Sequence, residues 1–415
     1  MRYFSYFFIV YGTFIACTSQ TDTSSTETTS ENTSQEETAD VVTFYDDLQP
    51  IINRACIYCH SENGRSFSMV EPDLVVLFAD IIARDVRERG KPPFIANPSC
   101  RDYHGSGLFL TEAEIEKFET WAQTGTPLGD STNSQEPSPI ESIAPYDSEI
   151  ILTPGFDMPD WEDNICIVHN LENTSDLRIQ ALEFATNDIN VVHHSTLFLL
   201  PSNWNGSSEP FPCSWAGGQD WKTLASWRPG AQPIQFSGGQ GFLLPPNAKL
   251  MSQVYLINEQ QQPHPFDKDA RWGLQFSEEE GIGYHVQRIE INQYTIPKDA
   301  AAHVESLERT WNYPDATILG VTLRSDILNQ GQWFRFIGDV DQCVAETGGN
   351  DGLNPMTYIF TEPISITNGA PFEVGCQWNN SHSNPKLPTN QPNDVFFGYN
   401  NSGSLCSAEF IVEWK

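Results

Sequence analysis

A cysteine pair followed directly by a histidine is the most informative motif of the chain. Residues 56–60 read Cys-Ile-Tyr-Cys-His, a C-x-x-C-H pattern. In this pattern the thiols of Cys56 and Cys59 add to the two vinyl groups of a haem, and His60 becomes the proximal ligand of the iron. A zinc half-site or a redox dithiol would use the same thiols, but the chain has no second C-x-x-C. We therefore predict covalent haem c attachment at residues 56–60.

The sequence leaves three candidates for the distal ligand of the haem iron. Cytochromes of this kind usually take a methionine from the loop before their last helix. That position is occupied here by Lys91, and no methionine lies between residues 70 and 111. His104, in a glycine-rich loop, and Met69 are the other candidates. An open or water-ligated iron is the alternative.

Three segments around the motif predict the short helices that would hold a haem. They cover residues 44–52, 71–89 and 111–123. The apolar residues that fall on one face of the second are Leu74, Leu77, Ile81 and Ile82. Thr111 and Glu114 form a capping box at the start of the third. Three short helices around a haem are the plan of a c-type cytochrome, so we predict a small all-α cytochrome domain at residues 41–130.

The first forty residues predict export and a lipid anchor. Arg2 precedes an apolar run, and residues 1–16 have the pattern of a secretory signal peptide. The signal ends Phe-Ile-Ala before Cys17 and resembles the lipobox of bacterial lipoproteins, which implies lipidation of Cys17. Residues 17–40 are rich in Ser, Thr, Gln and Glu, and they predict a disordered tether. We therefore expect an exported protein of the periplasm or cell surface, attached to the membrane by lipid only.

The charge balance excludes one class of partner. The 415 residues include 22 Lys and Arg against 55 Asp and Glu, which gives a net charge of −33. A surface this acidic repels phosphate backbones, so we predict no nucleic-acid binding.

The region after residue 145 has the pattern of a β protein. Short apolar runs of period two alternate with turn clusters, for example at residues 165–168, 249–257 and 410–412. Its length suits two jelly-roll-like β-sandwich domains better than one. We place a linker at 131–147, the first sandwich at 148–290 and the second at 291–415.

Ordered landmarks give the chain a family resemblance. They lie at residues 110–114, 125–130, 192–194, 227–231, 241–245, 252–254, 315–319 and 405–406. In this order they resemble the bacterial copper type II ascorbate-dependent monooxygenases, whose catalytic part is a peptidylglycine-monooxygenase-like pair of sandwiches and to which a c-type cytochrome segment can be fused. The resemblance implies two copper sites, one in each sandwich.

The first copper site implied by the resemblance is retained only in part. In the family an adjacent histidine pair and a third histidine bind this copper. His193 and His194 match the pair, and neutral imidazoles suit copper. The third position is Tyr255, and His264 in the following loop is an alternative ligand. Adjacent strand residues point to opposite faces, so the pair could hold copper with two ligands or have a structural role.

The second, oxygen-activating copper site is predicted to be lost. The family binds this copper through a His-x-His pair and a methionine. Arg324, Asp326 and Leu405 stand at these three positions. A guanidinium stays protonated and has no lone pair to offer a metal.

The cysteine count predicts disulfides. After Cys17, Cys56 and Cys59 are set aside, six cysteines remain, and an even number in an exported protein favours disulfide pairing. The resemblance implies a bridge between Cys376 and Cys406. The remaining four admit three pairings, and they are Cys100, Cys166, Cys213 and Cys343.

These features together predict an exported, lipid-anchored haem c protein that transfers electrons and carries a degraded copper-monooxygenase-like module. Its expected cofactor is haem c, with copper possible at one site. Its expected partner is a redox protein or a small reductant, and the oligomeric state stays open. The alternative is an active copper monooxygenase that hydroxylates an organic substrate with O₂ and receives electrons through the haem, so whether the protein is an enzyme is also open. A structural surface lipoprotein with a vestigial haem is a third hypothesis.

Overall fold

Strands dominate the structure. A computed structural model describes residues 41–62, 64, 66–152, 162–186, 188–257, 270–277, 279–338, 342–348, 355–384, 387 and 392–415. Strand accounts for 42% of the chain and helix for 13%. No helix within these ranges is long and apolar enough to cross a membrane.

The α-helices of the described chain lie in its N-terminal part. They are α1 (Gln49–Ala55), α2 (Pro72–Leu77), α3 (Ala79–Arg87) and α4 (Glu112–Gln123), and a π-helical turn at Phe44–Leu48 leads into α1. Thr111 and Glu114 form the predicted capping box at the start of α4. The helices enclose a small core, whose largest members are Phe44, Ile52, Ile115, Phe118 and Trp121.

The helix predicted over residues 71–89 is interrupted. Phe78 ends α2 with φ −105° and ψ 15°, outside the helical region, and α3 restarts at Ala79. The ring of Phe78 packs against that of Phe67, with centroids 4.7 Å apart. Because α3 restarts, Ile82 is buried while Leu77 is 69% exposed and Ile81 is 47% exposed. The prediction of one continuous inward face on this segment is therefore wrong.

The strands form four sheets. In chain order the strands are β1 (Ser148–Ile151), β2 (Glu162–Asn170), β3 (Leu177–Ala185), β4 (Val192–Leu199), β5 (Phe211–Pro212), β6 (Lys222–Trp227), β7 (Ile234–Gln235), β8 (Gly241–Leu244), β9 (Lys249–Ile257), β10 (Arg271–Ser277), β11 (Gly283–Glu290), β12 (Thr295–Ile296), β13 (Ala300–Thr310), β14 (Ala316–Ser325), β15 (Asn329–Phe336), β16 (Gln342–Gly348), β17 (Thr357–Ile366), β18 (Pro371–Asn380), β19 (Val395–Phe396) and β20 (Cys406–Trp414). One sheet has five strands in the order β5-β2-β9-β4-β6, a second has four in the order β13-β18-β15-β16, and β12 pairs with β19.

A long sheet connects the two sandwich-like halves. It runs β1-β10-β3-β8-β11-β20-β14-β17, with β7 attached to β3. One hydrophobic core lies between its first half and the five-stranded sheet, and includes Leu197, Val254 and Trp272. A second core involves its other half and the four-stranded sheet, and includes Phe334 and Phe410. These apolar side chains alternate along their strands, which explains the period-two pattern of the sequence.

The predicted fold class, a small all-α cytochrome domain followed by two all-β sandwich domains, is wrong. No separate all-α domain is evident, because residues 41–415 form one compact unit. The segment between α3 and α4 belongs to the β core: Ala96 bridges to Thr347, Tyr103 bridges to Phe360, and Phe94 is completely buried in the same cluster as Phe410. Short helices with so few apolar residues cannot cover this segment, so the sheets complete its burial.

Candidate functional site

A cavity of about 410 Å³ lies between the C-x-x-C-H segment and the edge of the five-stranded sheet. The helical part of the chain contributes Cys56, Cys59, His60, Met69, Ile82 and Lys91 to its wall. The strands and loops of the first sandwich-like half contribute Ile189, His193, Arg228 and Ile257. The cavity therefore has walls from two distant parts of the sequence.

The two thiols of the motif lie just beyond the end of α1. Cys56 is the C-cap residue of this helix, and the amides of Cys59 and His60 both donate to the Cys56 carbonyl at 3.1 Å. This tight turn places both cysteines on the cavity wall. Neither is disulfide-bonded. Burial raises the pKa of the Cys56 thiol to about 12, so the group is neutral at ordinary pH.

His60 is oriented as a metal ligand requires. Its Nδ1 lies 2.8 Å from the carbonyl oxygen of Phe67. A carbonyl cannot donate, so Nδ1 carries the hydrogen and the lone pair belongs to Nε2. Burial lowers the pKa of His60, which favours the neutral imidazole. A backbone contact that fixes the tautomer and the ring orientation is the usual support of a metal-binding histidine.

The structure brings two of the three predicted distal-ligand candidates to this cavity. Met69 is buried on its wall, and the Met69 amide donates to the carbonyl of His60 at 2.8 Å. Lys91 lines it from the loop after α3. His104 is exposed, its amide donates to the carbonyl of Ile359 at 2.9 Å, and it does not line the cavity.

The predicted first copper site is a pair of facing imidazoles. His193 and His194 lie on β4, where a β-bulge follows Val192. Their Nδ1 atoms are 3.0 Å apart, a distance that suits a hydrogen bond between the rings. Tyr255 on neighbouring β9 packs against His194 with ring centroids 5.0 Å apart, and its hydroxyl donates to Glu162 at 2.5 Å.

The histidine pair divides between two spaces. His193 lines the large cavity, whereas His194 lines a small pocket that also includes Gln253 and Arg324. Among the described residues no third His, Cys, Asp or Glu joins the pair with all ligand atoms within 4.8 Å of one another. His264 and Cys17 lie outside the described residues.

Arg324 occupies the second predicted copper site as part of a buried ion pair. Its Nη1 lies 3.6 Å from Oε1 of Glu409, and its Nη2 donates to the carbonyl of Ala216 at 3.0 Å. The guanidinium carbon lies 5.0 Å from the ring centre of Phe198. Arg288 shares Glu409 at 3.0 Å. A buried guanidinium therefore stands at one of the positions predicted to hold copper ligands.

Asp326 and Leu405 complete this replacement. Asp326 is buried and accepts hydrogen bonds from the Leu328 amide at 2.7 Å, from Trp378 Nε1 at 3.2 Å and from the Ser404 hydroxyl. Burial raises the pKa of Asp326 to about 6. Leu405 is completely buried and offers no donor atom. The residues at these three positions do not fit a copper ion.

The six described cysteines outside the C-x-x-C-H segment form three disulfides, Cys100–Cys343, Cys166–Cys213 and Cys376–Cys406. The last is the bridge that the family resemblance implied. Three disulfides indicate an extracellular or periplasmic protein. Cys100 and Cys343 lie near Glu346 in an arrangement that could suggest a metal site. Their sulfurs are bonded to each other, so neither is a free thiolate ligand.

Sequence reasoning missed Arg228 as a residue of the cavity. In the sequence it is noted only as part of the landmark at residues 227–231. Its position directly after the buried strand β6 and before Pro229-Gly230 is the signal that could have indicated a buried arginine. Ile189 and Ile257 also gave no signal, because the pairing of strands far apart in the sequence brings them to the cavity.

Comparisons with known proteins do not assign this site. No protein-family model matches the chain, and no curated protein does. The chain is similar to the atomic structure of Sulfolobus Turreted Icosahedral Virus at 8% identity, over 64% of this chain and 88% of that chain, with a TM-score of 0.21. A putative secreted protein from Eubacterium rectale gives 9% identity, over 61% and 69% of the two chains, with a TM-score of 0.18. Scores this low carry no argument about fold or function.

Proposed function

We propose that the protein is an exported haem c protein that transfers electrons. The observation that carries the proposal is the C-x-x-C-H segment on the wall of a cavity of about 410 Å³, with His60 fixed by the carbonyl of Phe67. Two thiols and an oriented imidazole in one turn match the attachment chemistry of haem c.

The residues around the cavity fit this cofactor. Cys56 and Cys59 offer the thiols for the two thioether bonds, and His60 offers Nε2 to the iron. Ile82 and Val86 of α3 supply apolar wall. A bound haem c would supply one-electron chemistry at the iron.

The protein's own residues control the surroundings of that chemistry. The Phe67 carbonyl holds the imidazole of His60 in one tautomer and increases its basicity as a ligand. The apolar side chains of Ile82 and Val86 on the cavity wall would exclude water from a bound haem and lower the local dielectric. Met69 and Lys91 remain candidates for the distal ligand.

The copper monooxygenase alternative has weaker support. Arg324 and Asp326 are engaged in buried ion-pair and hydrogen-bond contacts where the second copper would bind. The described residues leave His193 and His194 as the possible ligands of a single copper. We propose no oxygen-activating step, and keep copper at this pair as a secondary proposal.

The proposed location and partner rest on the sequence. Lipidation of Cys17 would attach the protein to a membrane, and a net charge of −33 favours a basic redox protein, with a small reductant as the alternative.

The metal content of the purified protein tests the proposal. The full chain is produced in a periplasm that has the haem c assembly system, and iron, copper and pyridine haemochrome are measured per chain. We expect one iron as covalent haem c in the natural protein and in the control Tyr58→Phe, and none in Cys56→Ala/Cys59→Ala. A natural protein without covalent haem would refute the proposal.

Copper is tested on the same preparations. Added copper that is retained by the natural protein and lost from His193→Ala/His194→Ala would place it at the histidine pair. Two coppers per chain would instead show that a second ligand set exists and would revive the monooxygenase alternative.

A further inference from the structure

Arg228 is a buried cation on the cavity wall without a carboxylate partner. It is 3% exposed, and it follows the end of β6. One of its terminal nitrogens donates to the carbonyl of Pro93, while its Nε has no hydrogen-bond partner among the described residues. Arg228 takes part in none of the ion pairs formed by the described part of the chain.

The other deeply buried arginine of the described chain, Arg324, has a carboxylate partner. Arg324 is also almost fully buried, and its guanidinium pairs with the carboxylate of Glu409. A buried charge that has no counter-ion is costly, so proteins pair such groups or hold them for a ligand. Arg228 therefore requires an anion that the described residues do not supply.

The polar neighbours of Arg228 cannot serve as that anion. Burial raises the pKa of Tyr358 to about 12 against the opposing effect of Arg228, and it also raises the pKa of Tyr103. Both are therefore neutral phenols, whose hydroxyls donate to the carbonyls of Phe94 and Ala96. The carboxylate of Asp85, also on the cavity wall, pairs with Arg84 at 2.9 Å.

The turn that carries Arg228 is built to lie against the helical wall. Gly230 has φ +92°, and a Cβ at this position would come within 2.8 Å of Tyr58 and 2.9 Å of Leu108. Only glycine allows this close approach with this backbone conformation. The turn therefore holds Arg228 beside the segment that carries the two thiols.

We infer that Arg228 binds a carboxylate of the ligand in this cavity, and that this carboxylate is a haem propionate. The inference rests on the proposed function. Haem carries two propionates besides the vinyl groups that the thiols take, and the planar guanidinium can bind a carboxylate through two parallel hydrogen bonds. The cofactor is then held covalently by the helical wall and by an ion pair from the sheet wall.

The test uses the full-length protein with covalent haem and three variants, Arg228→Gln, Arg228→Lys and Arg335→Gln. Arg335 on β15 is the control, because it pairs with Glu373 of β18 and does not line the cavity. Resonance Raman spectra report the bending modes of the propionates, whose frequencies depend on their hydrogen bonds. A redox titration gives the midpoint potential of each protein.

We expect Arg228→Gln to shift a propionate mode and to lower the midpoint potential, because loss of a nearby cation favours the oxidised, more positive haem. Arg228→Lys should shift the mode by a smaller amount and keep the potential closer to that of the natural protein. This variant still tests the inference if the Gln variant does not fold. Arg335→Gln should leave the propionate modes unchanged.

One contrary outcome is that the propionate modes are identical in the natural protein and in both Arg228 variants while each carries one covalent haem. That result would overturn this inference and leave the proposed function intact. A natural protein that carries no covalent haem would overturn both.

Discussion

Glu409 forms ion pairs with the partly buried Arg288 at 3.0 Å and with the buried Arg324 at 3.6 Å, and its other oxygen accepts the amide of Thr223 at 2.8 Å. Its side chain is completely buried. One carboxylate thus neutralises charge at the position predicted for a second copper. This residue explains how the fold tolerates Arg324.

Glu409→Gln should destabilise the protein by about 3–5 kcal/mol, because it leaves Arg324 buried without a counter-ion and removes the carboxylate partner of Arg288. The free energy of unfolding in urea, measured with the disulfides intact, checks this. Glu413→Gln on the same strand is the control and should change stability by less than about 0.5 kcal/mol. Equal effects of the two substitutions would contradict the role assigned to Glu409.

Asp326 should make stability depend on pH. Its pKa is about 6 in the folded protein against 3.8 for an ordinary aspartate, so the folded state binds the proton more tightly. This contribution to stability is complete below pH 3.8 and is lost as the pH rises through 6. Between pH 4 and 7 the natural protein should lose up to about 3 kcal/mol relative to Asp326→Asn.

Urea unfolding at several pH values, on the natural protein and on the two variants Asp326→Asn and Asp220→Asn, measures this difference. Asp220 is exposed, so its substitution should leave the pH profile of the natural protein unchanged. Parallel profiles for the natural protein and Asp326→Asn would show that the carboxyl does not titrate differently on folding.

At the scale of the elements, α4 shows how far local sequence determines structure. The Thr111 side chain accepts from the Glu114 amide, and the Glu114 carboxylate accepts from the Thr111 amide at 2.8 Å. Thr111→Ala should lower stability by about 1 kcal/mol, because the Glu114 amide loses the side-chain oxygen that accepts its hydrogen bond. Thermal or urea unfolding checks this, with Thr120→Ala, an exposed position in the last turn of α4, as control. An equally large loss of stability in Thr120→Ala would argue against the capping role of Thr111.

Local patterns predicted some elements and missed others for identifiable reasons. The capping box and the alternating strands depend on near neighbours, and both were visible in the sequence. The break at Phe78 depends on its packing against Phe67, and the burial of Phe94 depends on the sheets. Likewise, C-x-x-C-H marked one wall of the cavity in the sequence. Arg228 lies on the cavity wall through a contact with Pro93, which is more than 130 positions away in the sequence.

On the scale of the whole molecule, the Cys100–Cys343 disulfide connects the loop after α3 to strand β16. The two cysteines are 243 positions apart. The Asn97 amide donates to the Glu346 carbonyl at 2.8 Å beside the bridge. The bridge thus fixes the segment that carries Lys91 and Phe94 against the second core.

Cys100→Ala/Cys343→Ala should cost about 2–5 kcal/mol, since it releases a long loop in the unfolded chain. Limited proteolysis should also cut within residues 88–110 earlier than in the natural protein. Cys166→Ala/Cys213→Ala is the control, because its bridge lies within the first sandwich-like half and should leave that cleavage unchanged. Identical digestion patterns for the two variants would contradict this.

The separation of Cys100 and Cys343 in the sequence also sets an order of events during synthesis and folding. As the chain emerges during translocation, Cys100 must wait for 243 further residues before its partner arrives. Throughout that interval its thiol coexists with those of Cys56 and Cys59, and an oxidising compartment can join any two of them. If the protein carries haem c as proposed, haem must reach Cys56 and Cys59 before either thiol joins a wrong partner and before Arg228 and its neighbours close the cavity.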